Sequence, residues 1–392
     1  MAISKISGSG IGAINAPVEF TSADNLTQLT LTSTDTDANS GPLLELSRNV
    51  TGANNDFLGQ VIFKGKDTAG NVHTFGRVST QIKTATSGSE TSRMVLTTNV
   101  GGSEVSRIDI HPTETVINDD SVDLDFRVES NLDTHALFVD GAQSGAVGIG
   151  VTPKVWSSSL DFLQIGTAAS FWGSTNTSVA VVQSNAYFNA SDTYKYINTD
   201  QAAQYIQVDG THVFSSAVSG SADATVTFVE SLRINAASIV TMPLQPAFQA
   251  NIDNTQANIN GTVKINFATQ VFDQGNNFQP GTGDGQGGDT SNKTATFAAP
   301  ATGKYQLNVS IRLENIDSAA GYYQVSIITS NRNYRYIFDP DFGQDNAFFT
   351  PSISILADMD TSDTAFVQIQ QSGGSAQTDM HPETYFSGYL VC

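Results

Sequence analysis

Apolar side chains in this chain return at every second position. In KYQLNVSIRL, residues 304 to 313, Tyr305, Leu307, Val309, Ile311 and Leu313 alternate with polar neighbours. A period of two places the two sets on opposite faces of an extended strand, whereas a helix needs apolar residues at i, i+3 and i+4. The same habit marks LTQLTLTST (26–34), LGQVIFKG (58–65), SRMVLTTN (92–99), YIQVDGTHVF (205–214) and ATVTFVESLRI (224–234), which are predicted as strands between turn residues. Helical stripes near 15–26 and 198–206 are short and predict a turn or two at most. Thr, Ser, Asn, Asp and Gly fill much of the chain, the palette of strands and turns. The expected fold class is all-β.

The 392 residues leave room for two to four domains, each with its own core. No run of 18 apolar residues occurs, so no membrane-spanning helix is expected, and MAISKISGSGIGAINA is a poor secretory signal because Ser and Gly interrupt it. Cys392 is the single cysteine, which rules out a disulfide within the chain and any cysteine-based metal cluster. With 38 acidic and 18 basic residues the net charge is −20. That surface argues against nucleic acid as a partner, since phosphate contacts need cations. It suits a salty medium, where the screening length falls to roughly 3 Å at 1 M.

Two blocks close on a related pattern, EVSRIDI (104–110) and ESLRINA (230–236), after SGSETSRMVLTT (87–98) and SGSADATVTFVE (219–230). They are read as tandem β modules. Gly145, Gly148 and Gly150, followed by Pro153, punctuate one boundary, and the two prolines of MPLQPAF (242–248) mark the next. The expected organisation is an attachment segment over 1–30, β modules over 31–150 and 151–241, and a terminal domain over 242–392. The chain ends in PETYFSGYLVC (382–392), whose Tyr385, Phe386, Tyr389, Leu390 and Val391 are too apolar for a frayed tail. That segment is expected as a buried strand.

Sequence signals for chemistry are sparse. His73, His111, His135, His212 and His381 lie far apart without HExxH or another metal spacing. His381 is the one candidate for a metal gathered on a symmetry axis, from three copies of the chain. GSGIGA (8–13) has the wrong glycine spacing for a nucleotide loop, and no GxSxG elbow occurs. DTDANSG (35–41) begins like an EF-hand with Asp35, Asp37 and Asn39, but Ser40 replaces the required glycine and Leu46 the closing glutamate. Asp284 and Asp289 in GDGQGGD (283–289), and Asp358 and Asp360 in DMDTSD (358–363), are calcium-type ligands in loops that also read as solvated turns. No cofactor is expected, with Ca2+ the only candidate. Arg332, Tyr334, Arg335 and Tyr336 concentrate Arg and Tyr, the residue types that supply rigid contact area at recognition surfaces; the equal alternative is that alternate residues of this strand fill a core and the contacts between copies.

AGNVHTFGRVSTQI, FRVESNLDTHALFVDGAQSGAVGIG, LQIGTAASF and AYFNASDTYKYINTDQAAQYIQVDGTHVFSSAVSGSADA resemble segments of bacteriophage tail-fibre and related fibre proteins, over roughly half of the chain. The last 150 residues resemble the C1q/tumour-necrosis-factor-like jelly roll. PAFQANID (246–253) and VKINFATQVFDQGNNF (263–278) are similar to its opening strands and loop. TATFAAPATGKYQLNVSIRL (294–313) is similar to its signature, through Phe297, Pro300, Gly303 and Tyr305. SDTAFVQIQQSG (362–373) and YFSGYLV (385–391) are similar to its closing strands. PGTGDGQGGDTSN departs from the animal pattern.

The resemblance implies an elongated homotrimeric fibre with β-rich shaft modules and a C-terminal C1q-like jelly-roll knob. Phe297, Tyr305, Tyr385, Phe386 and Tyr389 would then serve the knob core or the contacts between its copies. It implies a structural virion protein, made in the cytoplasm of the infected bacterium, that recognises a host-cell receptor (a glycan or outer-membrane protein) and docks to a tail or capsid protein through its N-terminus. Three weak contacts per fibre would add by multivalency. No membrane insertion and no enzymatic activity are expected. A capsid-decorating head fibre of the same build is the alternative within this class, and a glycan-cleaving tailspike the alternative outside it.

Overall fold

A computed structural model describes residues 17–39, 41–143, 145–174, 177–282 and 294–392. No described residue is helical. The chain forms two compact units, Met1–Leu124 and Asp125–Cys392.

The first unit is an antiparallel meander of Phe57–Lys66, Val72–Thr84, Thr91–Val100, Ser103–Ile110 and Thr115–Ile117, hydrogen-bonded in chain order. Gly101 and Gly102 make its third turn with φ of 59° and 92°, a left-handed pair that joins Val100 directly to Ser103. One face of this sheet is covered and polar. Ser79 and Asp109 flank Val95 across three strands, and all three are buried. The Arg93 Nε lies 2.7 Å from each oxygen of Asp109. The other face carries Val61, Val78, Leu96, Ile108 and Ile117 in one cross-strand row, each between 37% and 42% exposed.

The segment 26–34 forms no strand. Alternation gives a segment two faces but not a partner, and nothing described between residues 17 and 56 pairs with it as a ladder. Leu26, Leu29 and Leu31 are exposed. YIQVDGTHVF, read as one strand, is a hairpin. Asp209 and Gly210 take φ of 48° and 72°, so Val208 pairs with Thr211 between strands Asp200–Val208 and Thr211–Gly220. In ATVTFVESLRI only Val229–Ile234 is a strand.

The second unit opens with a ten-stranded sheet. Its chain-order strands are Phe126–Val128, Leu137–Val139, Ala146–Ile149, Leu160–Ile165, Ala169–Ser174, Val179–Ser184, Asp200–Val208, Thr211–Gly220, Val229–Ile234 and Val240–Thr241. All pairings are antiparallel except Ala146–Ile149 with Leu160–Ile165. The two-stranded hairpin Ala186–Phe188 and Tyr194–Tyr196 helps close one face, where Trp172 stacks on Phe188 at 6.1 Å. Trp156 stacks on Phe162 at 4.4 Å beneath the same face. Beside these rings runs a buried polar row, in which Trp172 Nε1 donates to Gln183 Oε1 at 2.9 Å and Gln183 Nε2 to Gln204 Oε1 at 3.1 Å.

The rest of the unit is a sandwich. One sheet orders Thr269–Gln274, Ala247–Asn251, Tyr385–Leu390, Gly303–Ser310 and Ser352–Met359. The other orders Phe278–Gln279, Thr296–Ala298, Thr364–Ser372, Tyr322–Thr329 and Asn333–Phe338, with Gly261–Lys264 paired to Thr364–Ser372. A small third sheet joins Asn346–Phe349, Leu313–Ile316 and Asp379–Met380. The alternating residues of 304–313 do what their period predicts: Tyr305, Leu307, Val309, Ile311 and Leu313 are all buried in the core. Each fully buried side chain of this size contributes roughly 1.5–3 kcal/mol.

Candidate functional site

The terminal strand Tyr385–Leu390 is not an edge. It pairs with Ala247–Asn251 on one side and Gly303–Ser310 on the other. Phe386 points into the sandwich and meets Phe248 edge-on at 5.0 Å. Phe248 in turn stacks on Phe278 at 4.9 Å and Phe297 at 4.7 Å, and Phe297 leans on Tyr305 at 5.5 Å. Tyr305 keeps its one polar atom satisfied, donating from its hydroxyl to the Ala301 carbonyl at 2.7 Å. Gly388 lies between these groups: a Cβ there would stand 2.6 Å from Leu307 Cδ2 and 2.9 Å from Phe248 Cε1. Phe297, Tyr305 and Phe386 are therefore core residues of the sandwich.

Tyr385 and Tyr389 lie on the opposite side of that strand, 38% and 48% exposed. Register extends their face across the sheet. Tyr389 stands between Ala247 and Gln306, with Leu356 beyond, and Ser387 stands between Gln249 and Asn308, with Ser354 beyond. The face is uncharged along these rows. Its amide and hydroxyl groups are bonded to one another: Gln306 Nε2 donates to Ser354 Oγ at 2.8 Å, and Ser354 Oγ to Asn308 Oδ1 at 2.8 Å. Leu356 and Phe272 add exposed apolar area. In a chain of net charge −20, this face lacks charge along these rows and carries exposed aromatic rings, two marks of an interface centre, where charged residues are depleted and aromatics enriched.

The Arg-aromatic segment is split by its own alternation. Asn333–Phe338 is an edge strand, paired only to Tyr322–Thr329. Tyr334 pairs with Ile327 and packs on the core, and Tyr336 shares that side while remaining 39% exposed. Arg335 faces outward, opposite Ser326 and beside the exposed Ile337. Arg332 is committed to Asp358 by two hydrogen bonds of 3.1 and 3.0 Å. The pairing lowers the Asp358 carboxyl below its usual range and raises the arginine. Of the four predicted recognition residues, Arg335 and Tyr336 are presented to solvent without such a commitment.

Among the described residues the candidate metal ligands Asp358, Asp360 and His381 form no common cluster. Asp284 and Asp289 lie outside the described residues, as do residues 1–16 and Ser40. Asp358 is held by Arg332, and His381 Nδ1 accepts the Glu383 amide at 3.3 Å. The cluster that does form, Asp109 with His111 and Asp119, is one the sequence reading missed. Its ligand-type atoms lie within 4.8 Å of one another. Arg93 pairs with two of its members, Asp109 and Asp119, and hydrogen bonds from that guanidinium hold the buried Asp109 carboxyl below the ordinary carboxylate range. His111 Nε2 stands 3.3 Å from Asp109. The cluster is an ion-pair network built across a hairpin, and the 16-residue separation of Arg93 and Asp109 hides it from any local motif. The neutral face had a readable signal, the polar set Gln306, Asn308 and Ser310 between the core positions.

Residues 247–391 match the C1q domain family. No curated protein matches the chain. Among solved structures, the globular domain of zebrafish complement 1qA is similar at 18% identity over 38% of this chain and 98% of that one, with a TM-score of 0.27. Murine APRIL is similar at 13% identity over 38% and 99%, TM-score 0.27. The PRD1 vertex protein P5 is similar at 11% identity over 39% and 77%, TM-score 0.26. The protein is all-β with a C-terminal C1q-like jelly roll, as its strand signature implies.

Proposed function

We propose that this chain is a structural virion protein, a homotrimeric bacteriophage fibre that adheres to host cells through its C-terminal domain. The observation that carries the reading is the uncharged face around Tyr385, Ser387 and Tyr389. It lies on the sheet of the C1q-like domain that holds the terminal strand, and that jelly roll is one whose resemblance implies assembly in threes. Copies of an acidic chain repel wherever their charges meet, and this face lets them meet without charge. Residues 1–30 attach the fibre to the virion, 31–150 and 151–241 form its shaft, and 242–392 form the knob. Placement on the tail, with a host glycan or outer-membrane protein as receptor, follows the fibre-like segments of the sequence. Exposed Arg335 and Tyr336 on the knob's edge strand are suited to reach that receptor. Three such contacts on one rod raise avidity without a strong single site.

The test is sedimentation of the full chain beside Tyr389→Asp and Leu356→Asp. The parent is expected to sediment as a trimer and both variants as weakened trimers that dissociate at higher protein concentration than the parent and keep their β signal. A parent that sediments as a folded monomer refutes the reading. Incubation of the parent with host polysaccharide is expected to yield binding without new reducing ends. Release of reducing ends would make it a tailspike enzyme.

A further inference from the structure

Both large sheets before the jelly roll expose an apolar row among the described residues, with Leu46 lying beside the first of them at Gly59. In the meander of the first unit it is Val61–Val78–Leu96–Ile108–Ile117, flanked by Thr80, Met94 and Ile110, with the ion pairs Arg77–Glu104 and Arg93–Asp109 turned to the opposite face. In the ten-stranded sheet a continuous register row runs from Phe126 on the first strand to Leu232 on the ninth, through Phe171, Val182, Tyr205 and Phe214. Phe171 is 52%, Val182 49% and Phe214 42% exposed. The other face of that sheet already holds Trp172, Phe162 and Val181. An antiparallel sheet with one wet face alternates apolar with polar residues, so apolar residues on both faces mark a sheet buried on both.

Size supports the same conclusion. At roughly 200 Å² per aromatic side chain, the stated exposures of Phe171 and Phe214 alone leave about 190 Å² in water. With Phe126, Val139 and Val182, also at least a third exposed, the row reaches the few hundred Å² of the largest patch on a typical monomer, which is often a functional one. At about 4.8 Å between strands, the two rows are roughly 19 and 38 Å long.

We propose that these rows are the inner faces of the fibre shaft, each packed against the same row of the other two copies to form a hydrophobic spine. This rests on the trimer reading of the preceding section. Copies of the chain are the occupant for two reasons. The same construction, an uncharged apolar row across one exposed sheet face, occurs in two separate units, and one kind of cover available to both is the equivalent sheet of another copy. In a row that lies along the threefold axis, each residue stands level with its own counterparts in the other two copies. Neither row carries a charge, so the like-charged copies meet there without repulsion.

The experiment uses the full chain with Cys392→Ser, into which Val78→Cys, Val182→Cys or Ser191→Cys is placed singly. Ser191 is exposed on a turn outside both rows. Treatment with a short bismaleimide is expected to link the two row positions into dimers at least tenfold more than Ser191. Parent protein is expected to leave a hydrophobic dye at its buffer fluorescence, a readout that needs no variant. A chain that sediments as a trimer, yet shows no excess linking at either row or binds the dye strongly, overturns the spine and leaves the knob-driven trimer standing. A monomeric chain overturns both. Linking at one row alone overturns the proposal for the other sheet.

Discussion

Replacing Gly388 by alanine tests how tightly the terminal strand is built into the jelly roll. The added carbon would stand 2.6 Å from Leu307 Cδ2, 2.9 Å from Phe248 Cε1 and 3.0 Å from the Gln306 carbonyl oxygen. The last of these belongs to the backbone of the paired strand Gly303–Ser310 and cannot retreat without opening that ladder. Phe248 is held between Phe278 and Phe297, so it has no free rotamer to take. Overpacking of this kind costs about 1–3 kcal/mol, and three contacts at once put Gly388→Ala near the upper end. At roughly 2–4 °C per kcal/mol for a domain of this size, its thermal midpoint should fall by about 6–12 °C. Calorimetry of the full chain at fixed concentration measures it. Gly173→Ala is the control, because its added carbon meets only the Val179 oxygen at 3.5 Å. A Gly388→Ala midpoint equal to that of the parent would refute the packing argument.

Further outcomes are open to measurement. Asp109 is buried and its carboxyl is depressed by Arg93, so the pair's contribution is complete above the ordinary value of 3.8 and is lost as pH falls through the lower folded value. Acid titration followed by circular dichroism should show the meander losing stability below about pH 4, and Asp109→Asn should flatten that limb while costing about 1–3 kcal/mol at neutral pH. Tyr334→Ala should cost about 2 kcal/mol through lost core packing, whereas Arg335→Ala should leave the thermal midpoint in place and weaken cell adhesion in a pull-down. The reverse pattern would exchange their roles. Chelation by EDTA should not shift the thermal midpoint, since Asp358 already has Arg332 as its cation. A drop on chelation, restored by Ca2+, would contradict this.

Legibility followed the range of the interaction. The alternation of Tyr305 to Leu313 marks one apolar face, and that face is the buried one, because a strand's two faces are fixed by the residues themselves. Tyr334 and Arg335, grouped by composition, fall on opposite faces of their strand. Leu26 to Thr34 shows the limit: their pattern suits a strand, but pairing depends on a partner that the pattern does not contain. YIQVDGTHVF contained its own correction in Asp209–Gly210, a dipeptide suited to a two-residue hairpin turn. The exposed rows and the Arg93–Asp109 pair were out of reach because both are products of register, in which residues from successive strands become neighbours only once the turns between them have closed.

The two kinds of sheet also differ in how they can be reached from an unfolded chain. The meander joins strands that follow one another, so each hairpin can form as soon as its turn does. In the jelly roll, Ala247–Asn251 must find Tyr385–Leu390 across more than a hundred residues. Loop closure over that distance precedes any reward from contact, and such topologies fold in milliseconds to seconds where local ones take microseconds to milliseconds. Refolding should therefore be biphasic, with a fast meander and a slow closing step, and the slow step is the window in which a partly formed chain is vulnerable to aggregation.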